Sequence, residues 1–212
     1  MRGLFITFEG GEGSGKTTQF KALLNHLAAG SYEVVETRDP GGTTIGNQIR
    51  TVLLDGENDR MDPLTELLLY EASRRQLVCE VIRPALATGR VVICDRFTDS
   101  TVAYQGYGRG LDLALIERLN AMATAGVRPD LTLLLDIDPT LGLARISGRL
   151  REHHKLDRLE GELLDFHLAV RKGFLAQAAA EPRRFLVLDA TQGILELEAA
   201  IRRSVDARLA GR

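Results

Sequence analysis

Residues 8–18 read FEGGEGSGKTT, four glycines gathered around a single lysine. An apolar run, LFITF over 4–8, leads into it, and a helical pattern over 16–29 follows. That is the strand–loop–helix setting a phosphate cradle requires. Gly10, four further residues and then Gly15-Lys16-Thr17 match the P-loop spacing. Glycines let successive amide N–H groups point into one concavity, and the helix N-terminus adds partial positive charge. The stretch predicts a loop around the phosphates of a nucleoside triphosphate. Gly10, Gly11, Glu12, Gly13, Ser14, Gly15 and Thr18 form its wall, Lys16 reaches the β- and γ-phosphates, and Thr17 ligates Mg²⁺.

Outward from the loop, β-branched apolar runs at 4–8, 33–37, 91–95, 131–136 and 185–189 alternate with helix-period segments. These lie at roughly 16–29, 43–55, 62–88, 111–125, 139–148, 159–180 and 193–209. Four of the five runs lack polar alternation, as expected for strands covered on both faces. The alternation predicts an α/β fold with a parallel sheet and crossover helices, in one domain spanning 1–212. With 212 residues, 44% hydrophobic and 26% charged, the chain has an ordinary soluble composition, and its formal charge of −2 gives no pull toward nucleic acid or a membrane. Cys79 and Cys94 sit in apolar segments and read as buried thiols in a reducing compartment. The apolar stretch in MRGLFITFEGG is too short for a signal peptide, so a cytoplasmic location is expected.

The loop alone leaves the fate of the γ-phosphate open. A GTPase base-reading Asn-Lys-x-Asp is absent, and a kinase needs a second anion pocket facing the first. Four clusters offer one. TRDPGGT (37–43) brings Arg38 and Pro40, with Arg50 further along a helix; by itself it also reads as a turn with Thr43 or Thr44 capping a helix. YEASRRQL (70–77) sets Tyr70 and Arg74 on one helical face, the arrangement of a stacking ring beside a forked donor, or of a core tyrosine beside a surface arginine. DRFTDSTVAYQG (95–106) starts at a strand's carboxyl end, where ligands sit in open α/β sheets. There Asp95 can hold Mg²⁺ and Arg96 can meet a phosphate, while Ser100, Thr101, Tyr104 and Gln105 can line a base pocket. The charged stretch 145–158 carries Arg145, Arg149, Arg151, Lys155 and Arg158, either a solvated face or a lid bringing cations to a migrating phosphoryl group.

In order along the chain, FEGGEGSGKTT, TRDPGGT, RTVLLD, ASRRQLV, DRFTDSTVAYQG, RPDLTLLLDIDP, LDRLE and LDAT resemble the thymidylate kinase family, in its bacterial form with glycine in the loop and basic residues in the lid. The resemblance implies a P-loop NTPase fold of the nucleoside monophosphate kinase type, with a five-stranded parallel sheet and a lid at about 146–160. It implies a homodimer that uses ATP and Mg²⁺ to phosphorylate dTMP in dTTP synthesis, with no nucleic-acid or membrane partner. Carried onto matching positions, Lys16, Arg96, Asp95, Arg149, Arg151 and Arg158 are the catalytic group, with Thr17 and Asp95 on the metal and Arg145 toward ATP. Glu9 lies near the acceptor phosphate and metal, Glu12 accepts from the sugar 3′-hydroxyl, and Arg50 and Arg96, with Arg38 and Pro40 nearby, hold the dTMP phosphate. Tyr70 stacks on thymine where the family usually has Phe, Arg74 donates to a thymine carbonyl, and Ser100, Thr101 and Gln105 read the base. Tyr104 crowds the 2′ position of the sugar. Gly13 stands where some members carry arginine, and Asp39 replaces the usual Glu. A kinase for another nucleotide or deoxynucleoside, and a non-catalytic nucleotide-binding protein, remain alternatives on the residues alone.

Overall fold

A computed structural model describes residues 3–150 and 158–211, with 148–150 described in their backbone only. Five strands form one parallel sheet: β1 (Phe5–Glu9), β2 (Val34–Arg38), β3 (Val91–Asp95), β4 (Leu131–Asp136) and β5 (Phe185–Asp189), in the order β2-β3-β1-β4-β5. The three central strands are buried almost throughout, which is why they read as unbroken apolar runs; the edges β2 and β5 are half exposed.

Helices cover both faces. α1 (Lys16–Ala29) and α9 (Ile194–Ala210) lie on one, where Leu23, Leu27, Leu197, Ile201 and Val205 pack on Ile6, Phe8, Ile93, Leu133 and Leu135. Strand alternation turns Phe5, Val92 and Cys94 to the other face, against Leu77, Val78 and Ile82 of the chain through α3 (Pro63–Leu77) and α4 (Arg83–Ala87). α8 (Leu164–Ala180) covers Leu134 there with Phe166, Val170 and Phe174. The remaining helices are α2 (Thr44–Leu54), α5 (Thr98–Thr101), α6 (Leu113–Thr124) and α7 (Pro139–Leu150). Of the two candidate caps for α2, Thr43 serves: its hydroxyl accepts from the Gly46 amide at 2.9 Å.

Three expectations need correction. The 62–88 helix is interrupted by a π-helical turn, Val78–Ile82. It falls just before Pro84, which has no N–H to return to the carbonyl four residues back. The stretch after β3 gave no helical signal, yet α5 runs into a second π-helical segment, Val102–Gly108. Its Thr, Ser, Asp and Gly content disfavours helix, and packing on α8 overrides that. A Cβ at Gly173 of α8 would stand 2.8 Å from the Tyr107 ring, so the two segments approach closely only because position 173 is glycine. Cys94 is buried as expected, but Cys79 is exposed on the outer side of the first π turn. Among the described residues, no helix is long and apolar enough to cross a membrane.

Candidate active site

Because the sheet is parallel, all five strands end on one side, and a cleft of about 290 Å³ opens there between the P-loop, the end of β3, α3 and the 98–108 segment. The loop is tightly seated. Gly13 has φ +68°, and a Cβ on it would lie 2.1 Å from the carbonyl oxygen of Gly142 in α7. Any side chain at that position is therefore shut out unless α7 moves. The Lys16 ammonium donates to the carbonyl oxygens of Gly10 and Gly11, each at 2.9 Å. Thr17 and Thr18 face the same cleft from the start of α1.

Arg96 rises from the opposite wall in a left-handed conformation, φ +66°, which costs a non-glycine residue about 1 kcal/mol or more. Its surroundings hold it there. Its amide donates to Phe8 O at 2.9 Å, and its guanidinium donates to Glu12 Oε1 at 2.7 Å, Ser100 Oγ at 3.2 Å and Gly10 O at 3.1 Å, 4.9 Å from the Tyr104 ring centroid. Lys16 and Arg96 thus meet on the same oxygen, the Gly10 carbonyl. Tyr104 donates to Glu12 Oε1 at 2.8 Å and wedges edge-on between Phe166 and Phe174. Arg50 lines the cleft beside Pro40, whose carbonyl it bonds at 3.0 Å.

Tyr70, Arg74, Thr101 and Gln105 close the far end. Arg74 is no surface residue; it is 1% exposed. It donates to Asp39 Oδ2 at 2.6 Å, Glu71 Oε1 and Asn120 Oδ1 at 2.8 Å, and Thr101 Oγ1 at 2.7 Å. Its bond to Phe97 O, at 3.4 Å, is the weakest and the one most easily exchanged for a ligand carbonyl.

Electrostatics separates the two loop carboxylates. Burial would raise Glu12, but Arg96, Lys16 and the Tyr104 hydroxyl outweigh it and hold the group at about 2. Glu9, fully buried below the loop, is pushed up to about 8 by burial and then by the Asp99 charge, against the pull of Arg96 and of bonds from Ser100 Oγ at 2.6 Å and the Phe97 amide at 2.8 Å. Burial and the Arg38 charge depress the Arg50 guanidinium, so neighbouring cations repel one another. Such a cluster is built to receive an anion.

Several expected residues stand apart from the cleft. Arg38 is exposed at its edge, bonding Asn47. Arg145 bonds the carbonyls of Gly13 at 3.3 Å and Ala190 at 3.1 Å, outside the loop, where α7 and the end of β5 meet. Arg158, placed in the catalytic group, bonds the Leu53 carbonyl at 3.1 Å and the buried Glu66 carboxylate here. Arg151 lies outside the described residues, as does Lys155, and Arg149 is described only as backbone in α7. Asp95 faces the cleft, and its Oδ1 is buried without a hydrogen-bond partner among the described residues. Asp39 also lines the cleft, and Glu66 and Asp99 bear on it from behind; short-range sequence patterns do not reveal buried partners that meet over 30 or more residues.

The thymidylate kinase family model matches residues 8–201. The chain belongs to the thymidylate kinase family. It is 53% identical to thymidylate kinase of Geotalea uraniireducens, over 98% of this chain and 99% of that one, and 54% identical to that of Deinococcus radiodurans, over 98% of each. The crystal structure of thymidylate kinase from Ehrlichia chaffeensis superposes with a TM-score of 0.79 at 34% identity, covering 97% of this chain and 100% of the other. The family's nucleoside monophosphate kinase fold accounts for a P-loop and an arginine-lined pocket sharing one sheet edge.

The Glu9 carboxyl generates a pH signature. A group raised on folding from 4.5 to about 8 keeps its proton only in the folded protein across that window. Its contribution to stability is full below the lower value and is lost as pH climbs through the upper one. In nucleotide-free protein, the thermal stability of Glu9→Gln relative to the unaltered chain is expected to rise from about pH 4.5 to about pH 8 and to level off above. A difference that stays flat with pH contradicts the assignment.

Proposed function

We infer that this protein transfers the γ-phosphoryl group of ATP to dTMP, giving dTDP for dTTP synthesis. The observation that carries the reading is the shared acceptor: Lys16 of the donor-phosphate loop and Arg96 of the acceptor wall both bond the Gly10 carbonyl oxygen. Two phosphate sites that adjoin in this way allow in-line transfer with little covalent work by the protein.

In the reading, the P-loop amides and Lys16 fix the ATP phosphates, and Arg145 lies toward the nucleotide's outer side. Arg96 and Arg50 hold the dTMP phosphate, exchanging present bonds to Glu12 and Pro40 for phosphate oxygens. An acceptor phosphate is already ionised at neutral pH, so no general base is required. Glu12, held as a carboxylate, remains an acceptor for the deoxyribose 3′-hydroxyl. The Tyr104 ring, fixed between Phe166 and Phe174, leaves little room for a 2′-hydroxyl. Tyr70 stacks on thymine and Arg74 donates to its carbonyl. Arg149 and Arg151 are assigned to the migrating charge, a role Gly13 cannot take.

Mg²⁺ fits the donor set. Among the described residues, Asp95 offers a buried, unpartnered oxygen and Thr17 a hydroxyl in the same cleft, while no group of three or more His, Cys, Asp or Glu side chains forms a protein cage. Phosphate oxygens and water would complete such a site, as is usual for this ion, which there neutralises phosphate charge. A cytoplasmic location accords with two unpaired cysteines.

The acceptor panel tests the reading: with ATP and Mg²⁺, dTMP is expected to be phosphorylated well ahead of dUMP, dGMP and the ribose analogue of dTMP. Equal rates contradict the assigned base and sugar contacts. A homodimer is proposed from the resemblance and from Leu64 and Leu68, exposed on one face of α3. Sedimentation is expected to give twice the chain mass, and a monomer at micromolar concentration contradicts it.

A further inference from the structure

Glu66 is fully buried, one turn before Tyr70 on α3, and it is not part of the cleft wall. Gln105 Nε2 donates to its Oε1 at 2.7 Å. Arg109 approaches both of its oxygens, at 3.4 and 3.3 Å, and Arg158 donates to Oε2. The arginines are themselves tied down: Arg109 bonds Glu162 at 2.6 Å and lies 4.7 Å from the Phe166 ring centroid, and Arg158 bonds Leu53 O. Glu66 is thus fixed by groups from the 98–109 stretch and from the start of the chain that leads into α8.

A carboxylate accepts and does not donate, whereas a glutamine amide has one end of each kind. Facing Glu66, Gln105 can present only its nitrogen; the reverse orientation would set carbonyl oxygen against carboxylate oxygen. The partner's chemistry therefore settles the amide's orientation. Gln105 also lines the cleft beside Thr101, Arg74 and Tyr70. With Nε2 committed, the carbonyl oxygen Oε1 is the amide's remaining polar end.

We propose that Glu66 is a positioning residue for base selection: it holds Gln105 with its carbonyl oxygen toward the cleft, where it accepts from the N3–H of thymine. Thymine and uracil carry a hydrogen at N3 between two carbonyls, while cytosine carries a bare acceptor there. An oxygen at this point pairs with the first and opposes the second. The neighbouring Arg74 donors favour a carbonyl over an amino group at the adjacent base edge. Glu66 touches no nucleotide; it selects by denying Gln105 the choice of orientation. The two arginines keep the carboxylate in place and prevent it from turning toward solvent.

The proposal rests on the dTMP reading above, and its test separates the two. Glu66→Gln preserves shape but provides both a donor and an acceptor, so the Gln105 amide becomes free to turn. The preference in kcat/KM for dTMP over dCMP is expected to fall at least about tenfold, because a mispaired buried hydrogen-bonding group carries most of such discrimination. The change is expected in acceptor KM, with ATP KM held. If both acceptors lose activity in proportion and the ratio stays put, Glu66 is merely structural and the proposal is overturned. A second measurement covers a variant that fails to fold. In the unaltered protein, with or without nucleotide, NMR is expected to place the Gln105 amide hydrogens against the Glu66 methylene groups; amide hydrogens directed at the cleft overturn the proposal even if dTMP proves not to be the acceptor. Absence of dTMP turnover in the unaltered protein counts instead against the functional reading.

Discussion

One carbonyl oxygen organises the site. The Gly10 oxygen accepts from Lys16 at 2.9 Å and from Arg96 at 3.1 Å, so the cation of one wall and the cation of the other are brought to a common point. Neither contact is available by chance. Gly10 has φ +140°, and a Cβ there would lie 2.4 Å from the Leu135 carbonyl oxygen, which reserves the position for glycine. Arg96 accepts a left-handed backbone to arrive from β3. Packing around β1, β3 and β4 overdetermines both conformations, which is how strain persists at a working site.

Around that oxygen, charge is kept unbalanced on purpose. Burial works against the charge on Arg96, but the carboxylates of Glu12 and Asp95 outweigh it, and Arg96 retains its proton well above the ordinary value. Lys16 is lowered by burial and by Arg96, with Glu12 and Asp95 pulling the other way. In the nucleotide-free protein, backbone carbonyls and Glu12 engage the donors of Lys16 and Arg96. Exchange of these for a phosphate replaces one set of acceptors by another carrying more charge, so little reorganisation is needed within the cleft.

The frame was largely legible in the sequence. Strands buried on both faces announce themselves as apolar runs, and all five observed strands fall within a residue of their expected positions. The P-loop reads directly, because Gly10, Gly13 and Gly15 take positive φ values that backbone geometry reserves for glycine. What escaped was structure made by distant partners. The 98–108 helix is composed of weak helix formers and forms because α8 presents Gly173 to it. Of the two readings of Arg74, a forked donor at a pocket or a surface arginine, the second falls, because Asp39, Glu71, Asn120 and Thr101 converge on it and bury it. Arg158 lies in a run of charge, and its buried partner Glu66 is 92 residues away along the chain. Glu66 itself lies among leucines on α3, with no local pattern to mark it.

Binding of a bisubstrate molecule, adenosine and thymidine joined 5′ to 5′ through a chain of phosphates, most directly tests whether the two anion sites adjoin at Gly10. Calorimetry and competition are expected to show one molecule per chain that displaces both ATP and dTMP. Displacement of only one of them, or independent binding alongside the other, would contradict a continuous path between the two phosphates.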